Sequence, residues 1–197
     1  MVTITADILK EIAPGSKKTN YTLLADLASA MNTQFPAAKI DTVAEVCHFL
    51  AQAAEETDSF NSLKEYASGQ EYEGRKDLGN NYPGYGVKYK GRGIFMVTGS
   101  VNYFNLTCKC PEFGISFISH PELLETPHWA VWSALIFWND RHLSDIANRD
   151  DSSLIFSKTL NKALTPLQYI TFRINGGQNG LEYRQVFYDR AKKIFDS

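Results

Sequence analysis

Thr42-Val43-Ala44-Glu45-Val46-Cys47-His48-Phe49-Leu50-Ala51-Gln52-Ala53-Ala54-Glu55-Glu56-Thr57 is the stretch on which the fold turns. Thr42 and Glu45 stand three apart, the spacing at which a hydroxyl and a carboxylate satisfy each other's backbone N–H groups at a helix start. Behind them Val46, Phe49, Leu50 and Ala53 recur as one apolar stripe at helical spacing, and the next steps along it reach Glu56 and Thr57. A carboxylate at the end of a core-facing stripe is conspicuous. Beside apolar residues it loses part of its hydration, which favours the protonated form that a general acid must carry.

The surroundings of this helix read as mainly α. Upstream, Ile8, Leu9 and Ile12 mark a short helix ended by Pro14-Gly15, and Leu23, Leu24, Leu27, Ala30 and Met31 mark a second. From Gly69 to Gly93 the periodicity is lost and Gly, Tyr, Asn and Arg dominate, so a small irregular or β-type lobe is expected around residues 66–95. Helical patterning then resumes. Thr126-Pro127 and Thr165-Pro166 each read as an N-cap followed by proline at the first helical position. The first leads into Trp129, Ala130, Ala134, Leu135, Phe137 and Trp138, and the second into Tyr169, Ile170 and Phe172. A last amphipathic helix carries Val186, Phe187, Ala191 and Ile194. No repeat or linker interrupts the chain, and a single domain over residues 1–197 is expected.

The bulk properties narrow the class. With 197 residues, 44% of them hydrophobic and 21% charged, the chain can bury a sizeable core without cross-links. A net charge of -2 and a pI near 6.1 remove the general electrostatic case for nucleic acid or an anionic membrane as partner. Cys47 lies in an apolar helical pattern and Cys108 and Cys110 in Thr-Cys-Lys-Cys, so neither a disulfide framework nor a zinc site is indicated. Asp7 and Glu11 interrupt what would be the apolar core of a signal peptide, and no segment reaches membrane-spanning length. The expectation is a chain made in the cytoplasm and exported by another route.

Glycosidic cleavage needs a protonated acid at the leaving oxygen and, in an inverting enzyme, a second carboxylate that activates water. Glu65 follows Glu56 by nine residues, past Phe60 and Leu63, where the chain has left the helix. By itself that spacing also fits two solvated glutamates. The tyrosines of the glycine-rich lobe, Tyr66, Tyr72, Tyr82, Tyr85 and Tyr89, offer rings for stacking on sugars and hydroxyls for their edges, with packing the plainer role for most of them.

Several stretches, in one order from residue 40 to 195, resemble glycoside hydrolase family 19, the chitinases and phage endolysins. They are Phe49 to Thr57, Tyr72-Glu73-Gly74-Arg75 to Asn80, Tyr89-Lys90-Gly91-Arg92-Gly93, Val97 to Tyr103, Ser133 to Trp138, and Ile174-Asn175-Gly176-Gly177 with Asn179 to Glu182. The resemblance implies a lysozyme-like bilobal helical fold. It makes Glu56 the general acid of a His-Glu-Thr/Ser motif, with Glu55 standing in place of the histidine. The general base falls on Glu65, with Glu73 as competitor; Glu73 is expected instead to pair with Arg75 or Arg92.

Thr98 corresponds to the hydroxyl that holds the attacking water, with helix capping as its alternative. Asn102, Asn175, Tyr89 and Tyr66 are expected to contact substrate. Arg184 is placed with them in the cleft, holding a catalytic carboxylate ionised, or else lies on the surface. Met96 replaces a usual glutamine, and Asn179 replaces the acidic residue of plant-type members.

The expected function is a peptidoglycan-degrading, endolysin-type glycosidase that inverts at a β-1,4 bond. A chitinase, a lytic transglycosylase and an inactive glycan-binding protein of the same fold are the alternatives. No metal or organic cofactor is implied. The expected partner is peptidoglycan or a chitin-like polysaccharide, the expected state a monomer, and the expected site of action the cell wall after release through a holin or a secretion machine.

Overall fold

The computed structural model describes residues 2–17 and 20–196. They fall into two compact units, one of Met1–Asn61 with Leu135–Ser197 and one of Ser62–Ala134. In chain order the α-helices among the described residues are α1 (Ala6–Ile12), α2 (Tyr21–Gln34), α3 (Val43–Glu56), α4 (Tyr85–Lys88), α5 (Ser100–Cys108), α6 (Pro127–Asp140), α7 (Leu143–Ala147), α8 (Pro166–Asn175) and α9 (Leu181–Phe195). The mainly helical class expected from periodicity is the observed one.

The first unit is built around α3. Its start is the capping box read from the sequence: Glu45 N donates to Thr42 Oγ1 at 3.1 Å, and Thr42 N donates to Glu45 Oε2 at 3.0 Å. Burial alone would raise the Glu45 pKa, but hydrogen bonds from Thr42, Ser144 and Asp41 outweigh it and hold the carboxyl below its usual range. The single apolar stripe understates how α3 is buried. Every residue from Glu45 to Ala54 is inside, because α9, α1, α7 and α8 all pack on it. Phe49 meets the rings of Phe35 at 5.0 Å and Trp138 at 5.5 Å, burial of the kind that contributes about 1.5–3 kcal/mol per large apolar side chain.

Thr165 and Gln168 form a second capping box at the start of α8, with Pro166 at the first helical position. Along α9 the buried face is Arg184, Phe187, Tyr188 and Ala191, whereas Val186, expected in the apolar stripe, is 43% exposed. The helical phase set by Phe187 and Ala191 turns Val186 outward and brings Arg184 inward. A two-stranded antiparallel pair, β1 (Ile155–Ser157) and β2 (Lys162–Leu164), completes this unit. Its strands are too short to show periodicity, and Asn161 turns between them at a φ of 48°.

The second unit reaches beyond the lobe expected at 66–95, because Phe113, Phe117, Trp129 and Trp132 join its later part through ring contacts of 5.4–5.9 Å. Between residues 66 and 95 the irregular alternative holds. The chain runs through single-turn 3-10 helices at Gln70–Tyr72 and Lys76–Leu78, and isolated bridges join Lys64 to Arg92 and Arg92 to Val97. Arg92 is the hub. Its guanidinium donates to Glu125 at 2.7 Å, the Lys88 carbonyl at 2.8 Å and the Tyr103 hydroxyl at 3.1 Å. Glu125 also accepts from Lys64 at 2.9 Å, and these two partners hold its pKa below the usual range against the raising effect of burial.

Candidate active site

Glu56 lies in the first unit. Glu56 is the last residue of α3, and Arg184 of α9 donates to its Oε1 at 2.6 Å. The same guanidinium donates to Gln52 Oε1 at 2.5 Å and to the Asn179 carbonyl at 3.2 Å, while Gln52 Nε2 reaches Thr171 Oγ1 at 3.0 Å. Gln52 stands one helical turn before Glu56, so both face α9. Such charge-assisted bonds inside a protein are strong as well as directional. The Arg184 side chain is 2% exposed and that of Glu56 14%, so the pair is anchored from within and open at the carboxylate end.

The chain leaves α3 abruptly. Thr57 Oγ1 bonds the Ala53 carbonyl at 2.5 Å, and Asp58, Ser59 and Phe60 follow at φ of 51°, 60° and 60°. Three successive left-handed residues that are not glycine cost about 1–2 kcal/mol each, strain of the sort concentrated at functional positions. Asn61 clamps the turn by accepting from Lys17 N at 2.8 Å and donating to the carbonyls of Asp58 at 2.6 Å and Gly15 at 3.1 Å. Glu55 approaches the backbone closely: a Cβ on Gly180 would fall onto its carboxylate. Burial, and in smaller measure Glu56, raise the Glu55 pKa while Arg184 opposes them. Asn175 closes α8, and its Oδ1 is buried without a hydrogen-bond partner.

Glu65 lies in the second unit. Glu65 N donates to the Gly91 carbonyl at 3.0 Å, and Tyr72 Oη donates to Glu65 Oε2 at 2.9 Å. Burial first, and then this bond to Glu65, push the Tyr72 hydroxyl up to about 12. Glu65 Oε1 is buried and has no hydrogen-bond partner. A Cβ at position 91 would stand 3.1 Å from Glu65 Oε2, so the glycine makes room for the carboxylate. Lys90 Nζ secures the backbone by donating to the carbonyls of Glu65 at 3.2 Å and Ala67 at 2.6 Å. Thr98 does not cap a helix; its hydroxyl donates to the Met96 carbonyl at 2.8 Å and keeps lone pairs for a further donor. Asn102 is exposed and its amide donates to the Thr98 carbonyl at 2.7 Å. Tyr66 is exposed.

Two expectations change and one open alternative closes. Tyr89 is 1% exposed, its ring packed against Tyr85 and Tyr103 and its hydroxyl donating to the Ile118 carbonyl, so it is a core residue and not a sugar contact. Arg184 engages Glu56, Gln52 and Asn179 with all three of its nitrogens, so of its two expected places it takes the one beside a carboxylate and not the one on the surface. Glu73 pairs with neither Arg75 nor Arg92. It accepts from Gly84 N at 3.1 Å and Val87 N at 3.4 Å at the start of α4, while Arg75 pairs with Asp77 and Arg92 with Glu125. Tyr72, Gln52 and Glu125 had not been singled out for these roles. Of them only Gln52, a polar residue in an apolar helix at i−4 from Glu56, left a signal in the pattern.

No protein-family model matches the chain. Among solved structures, chitinase C from Streptomyces griseus HUT6037 superposes with a TM-score of 0.63 at 19% identity, covering 99% of this chain and 93% of that one. The fold is that of the family 19 chitinases. A bacterial family 19 chitinase gives a TM-score of 0.60 at 17% identity, over 98% of this chain and 95% of its own. The family 19 fold thus spans both units, including the segments that carry Glu56, Glu65 and Asn175.

Proposed function

We propose that the chain hydrolyses the β-1,4 bond of an N-acetylated glycan, with peptidoglycan as its polymer, Glu56 as general acid and Glu65 as general base. The observation that carries the reading is the state of Glu65: one carboxylate oxygen held by Tyr72, the other buried and free to accept. A buried acceptor without a donor is uncommon in a stable fold and marks a place where water or substrate belongs.

In the proposed reaction Arg184 holds one oxygen of Glu56 and leaves the other to carry the proton. That proton passes to the glycosidic oxygen as the bond to the anomeric carbon breaks. Glu65 takes a proton from a water that attacks the same carbon from the opposite face, and Thr98 accepts a hydrogen bond from that water and orients it. The product is a reducing end with inverted configuration, and Glu56 regains its proton from solvent.

The departures at Met96 and Asn179 argue against plant-type chitin binding and leave the choice of glycan open, while the chitinase reading is favoured by the neighbours, which are chitinases. The purified chain and its Glu56→Gln variant, incubated separately with peptidoglycan and with chitin oligomers, separate the two by mass spectrometry of the products. The expected result is reducing-end muropeptides from the wild type and a loss of about 10²–10⁴-fold in the variant. Cleavage of chitin alone would move the assignment to chitinase, anhydro ends to a transglycosylase, and no cleavage by a folded protein to a glycan-binding role.

A further inference from the structure

The first unit contains a cavity of about 580 Å³ between the β1–β2 turn and α8. Phe156, Tyr169 and Phe172 form its apolar walls, and Lys158 and Arg173 bring two cations to it, with no carboxylate among the residues that line it. Phe156 is 61% exposed although its strand packs on α8, an unusual place for a phenylalanine. Among the described residues, neither the Lys158 nor the Arg173 side chain has an ion-pair or hydrogen-bond partner.

A third cation adds to the field. Arg141 lies over the ring of Phe137 at 3.4 Å, and its pKa is lowered by burial and then by the like charge of Arg173, with Asp140 opposing. Arg141 is not part of the cavity lining and Asp140 offsets some of its charge, but its repulsion of Arg173 adds to the positive potential that Arg173 and Lys158 bring to a lining without acids, and an anion would relieve it. Two other cavities of this unit differ: along α9, Lys192 is paired with Asp151 at 2.7 Å and Tyr188 donates to the same carboxylate at 2.6 Å, so these charges are already matched.

We propose that this cavity is a subsite for a carboxylate-bearing peptide branch of the glycan, with Arg173 and Lys158 binding the carboxylates and Phe156, Tyr169 and Phe172 packing on the peptide's aliphatic parts. The inference rests on the peptidoglycan reading and deepens it. Helix α8 carries Tyr169, Phe172 and Arg173 and ends two residues later at Asn175, whose buried Oδ1 has no partner. Two residues of helix rise about 3 Å but turn about 200°, so Arg173 and Asn175 lie near one end of α8 on different faces, and a branch of three or more extended residues, about 10 Å or longer, is what would join a sugar held at Asn175 to Arg173. Chitin carries no such branch and no carboxylate, whereas the peptides of wall glycan carry several. The cavity therefore supplies the discrimination that the acid and base, acting on a linkage common to both polymers, cannot.

The test compares wild type with Arg173→Gln, Lys158→Gln and the double variant on three substrates: intact peptidoglycan, the same glycan stripped of its peptides by an amidase, and chitin hexamer. These residues lie at the surface of the cavity and outside the acid–base machinery. The double variant is expected to raise KM on intact peptidoglycan about tenfold with kcat unchanged, from the loss of charge-assisted bonds, and to leave the stripped glycan unaffected. A parallel titration of isotope-labelled wild type with the soluble tripeptide L-Ala-γ-D-Glu-meso-diaminopimelate is expected to move resonances of Phe156, Tyr169 and Arg173; the double variant should show no such movement. Equal losses on intact and stripped glycan, or no response to the tripeptide, overturn the subsite. Should wild type cut intact and stripped wall glycan equally well and ignore the tripeptide, only the subsite falls; should it cut chitin alone, the peptidoglycan reading falls with it.

Discussion

Glu56 and Glu65 are held in opposite ways. Glu56 ends a helix buried from Glu45 to Ala54, and Arg184 fixes it through a side-chain network that includes Gln52 and Asn179. Glu65 lies in irregular chain, placed by one backbone bond to Gly91, one tyrosine hydroxyl and a missing Cβ. The first carboxylate depends on a buried charge network and the second on backbone fit. Disturbing the first should therefore harm stability most, and disturbing the second should harm activity most.

The largest expected effect follows from breaking the network. Arg184→Met leaves Glu56 and Gln52 without their donor and should lower unfolding free energy by about 3–5 kcal/mol, read from urea melts. A loss below about 1 kcal/mol would show that the ion pair is replaceable and that the contrast is false. Next comes Gly91→Ala. The added methyl must displace the Glu65 carboxylate by a few tenths of an ångström, so kcat on the cleaved polymer should fall about tenfold while stability changes by less than about 1 kcal/mol. Equal damage to both quantities would mean that Gly91 serves the fold and not the carboxylate.

The pH dependence of stability sharpens the same comparison, because a carboxyl in each unit is shifted in the opposite direction. Burial raises the Glu55 pKa, so its contribution is present below the unfolded value near 4.5 and is lost as pH rises through the folded value. Glu125 is lowered by Lys64 and Arg92 despite burial, so its contribution is present above the unfolded value and is lost as pH falls through the folded one. Glu55→Gln should thus raise the denaturant midpoint at neutral pH, and Glu125→Gln should lower it. Both differences should shrink in acid, and shifts of the same sign would contradict the assignment. The smallest effect is expected at the strained turn after Glu56. Ser59→Gly removes a left-handed penalty, partly offset by the entropy of glycine, and should stabilise the chain by about 0.5–1 kcal/mol in a thermal melt.

The site was legible in the sequence where it lies on a helix. The Thr42–Glu45 spacing announced α3, and the stripe through Ala53 pointed at Glu56. Where the chain is irregular, the residue types were visible and their partners were not. Glu73 had two arginines within reach on paper and took two backbone N–H groups instead. Tyr89 could not be told from Tyr66 by composition, yet one is core and the other exposed.

By itself the sequence determined the helices, their caps and the carboxylate at the end of α3, because helical periodicity and capping are local and repeat within a few residues. Only the tertiary structure decided that Arg184 holds Glu56, that Gly91 clears space for Glu65 and that Arg173 and Lys158 share a cavity without acids. Those pairings join residues far apart in the chain, and which donor meets which acceptor is set by how the backbones pack.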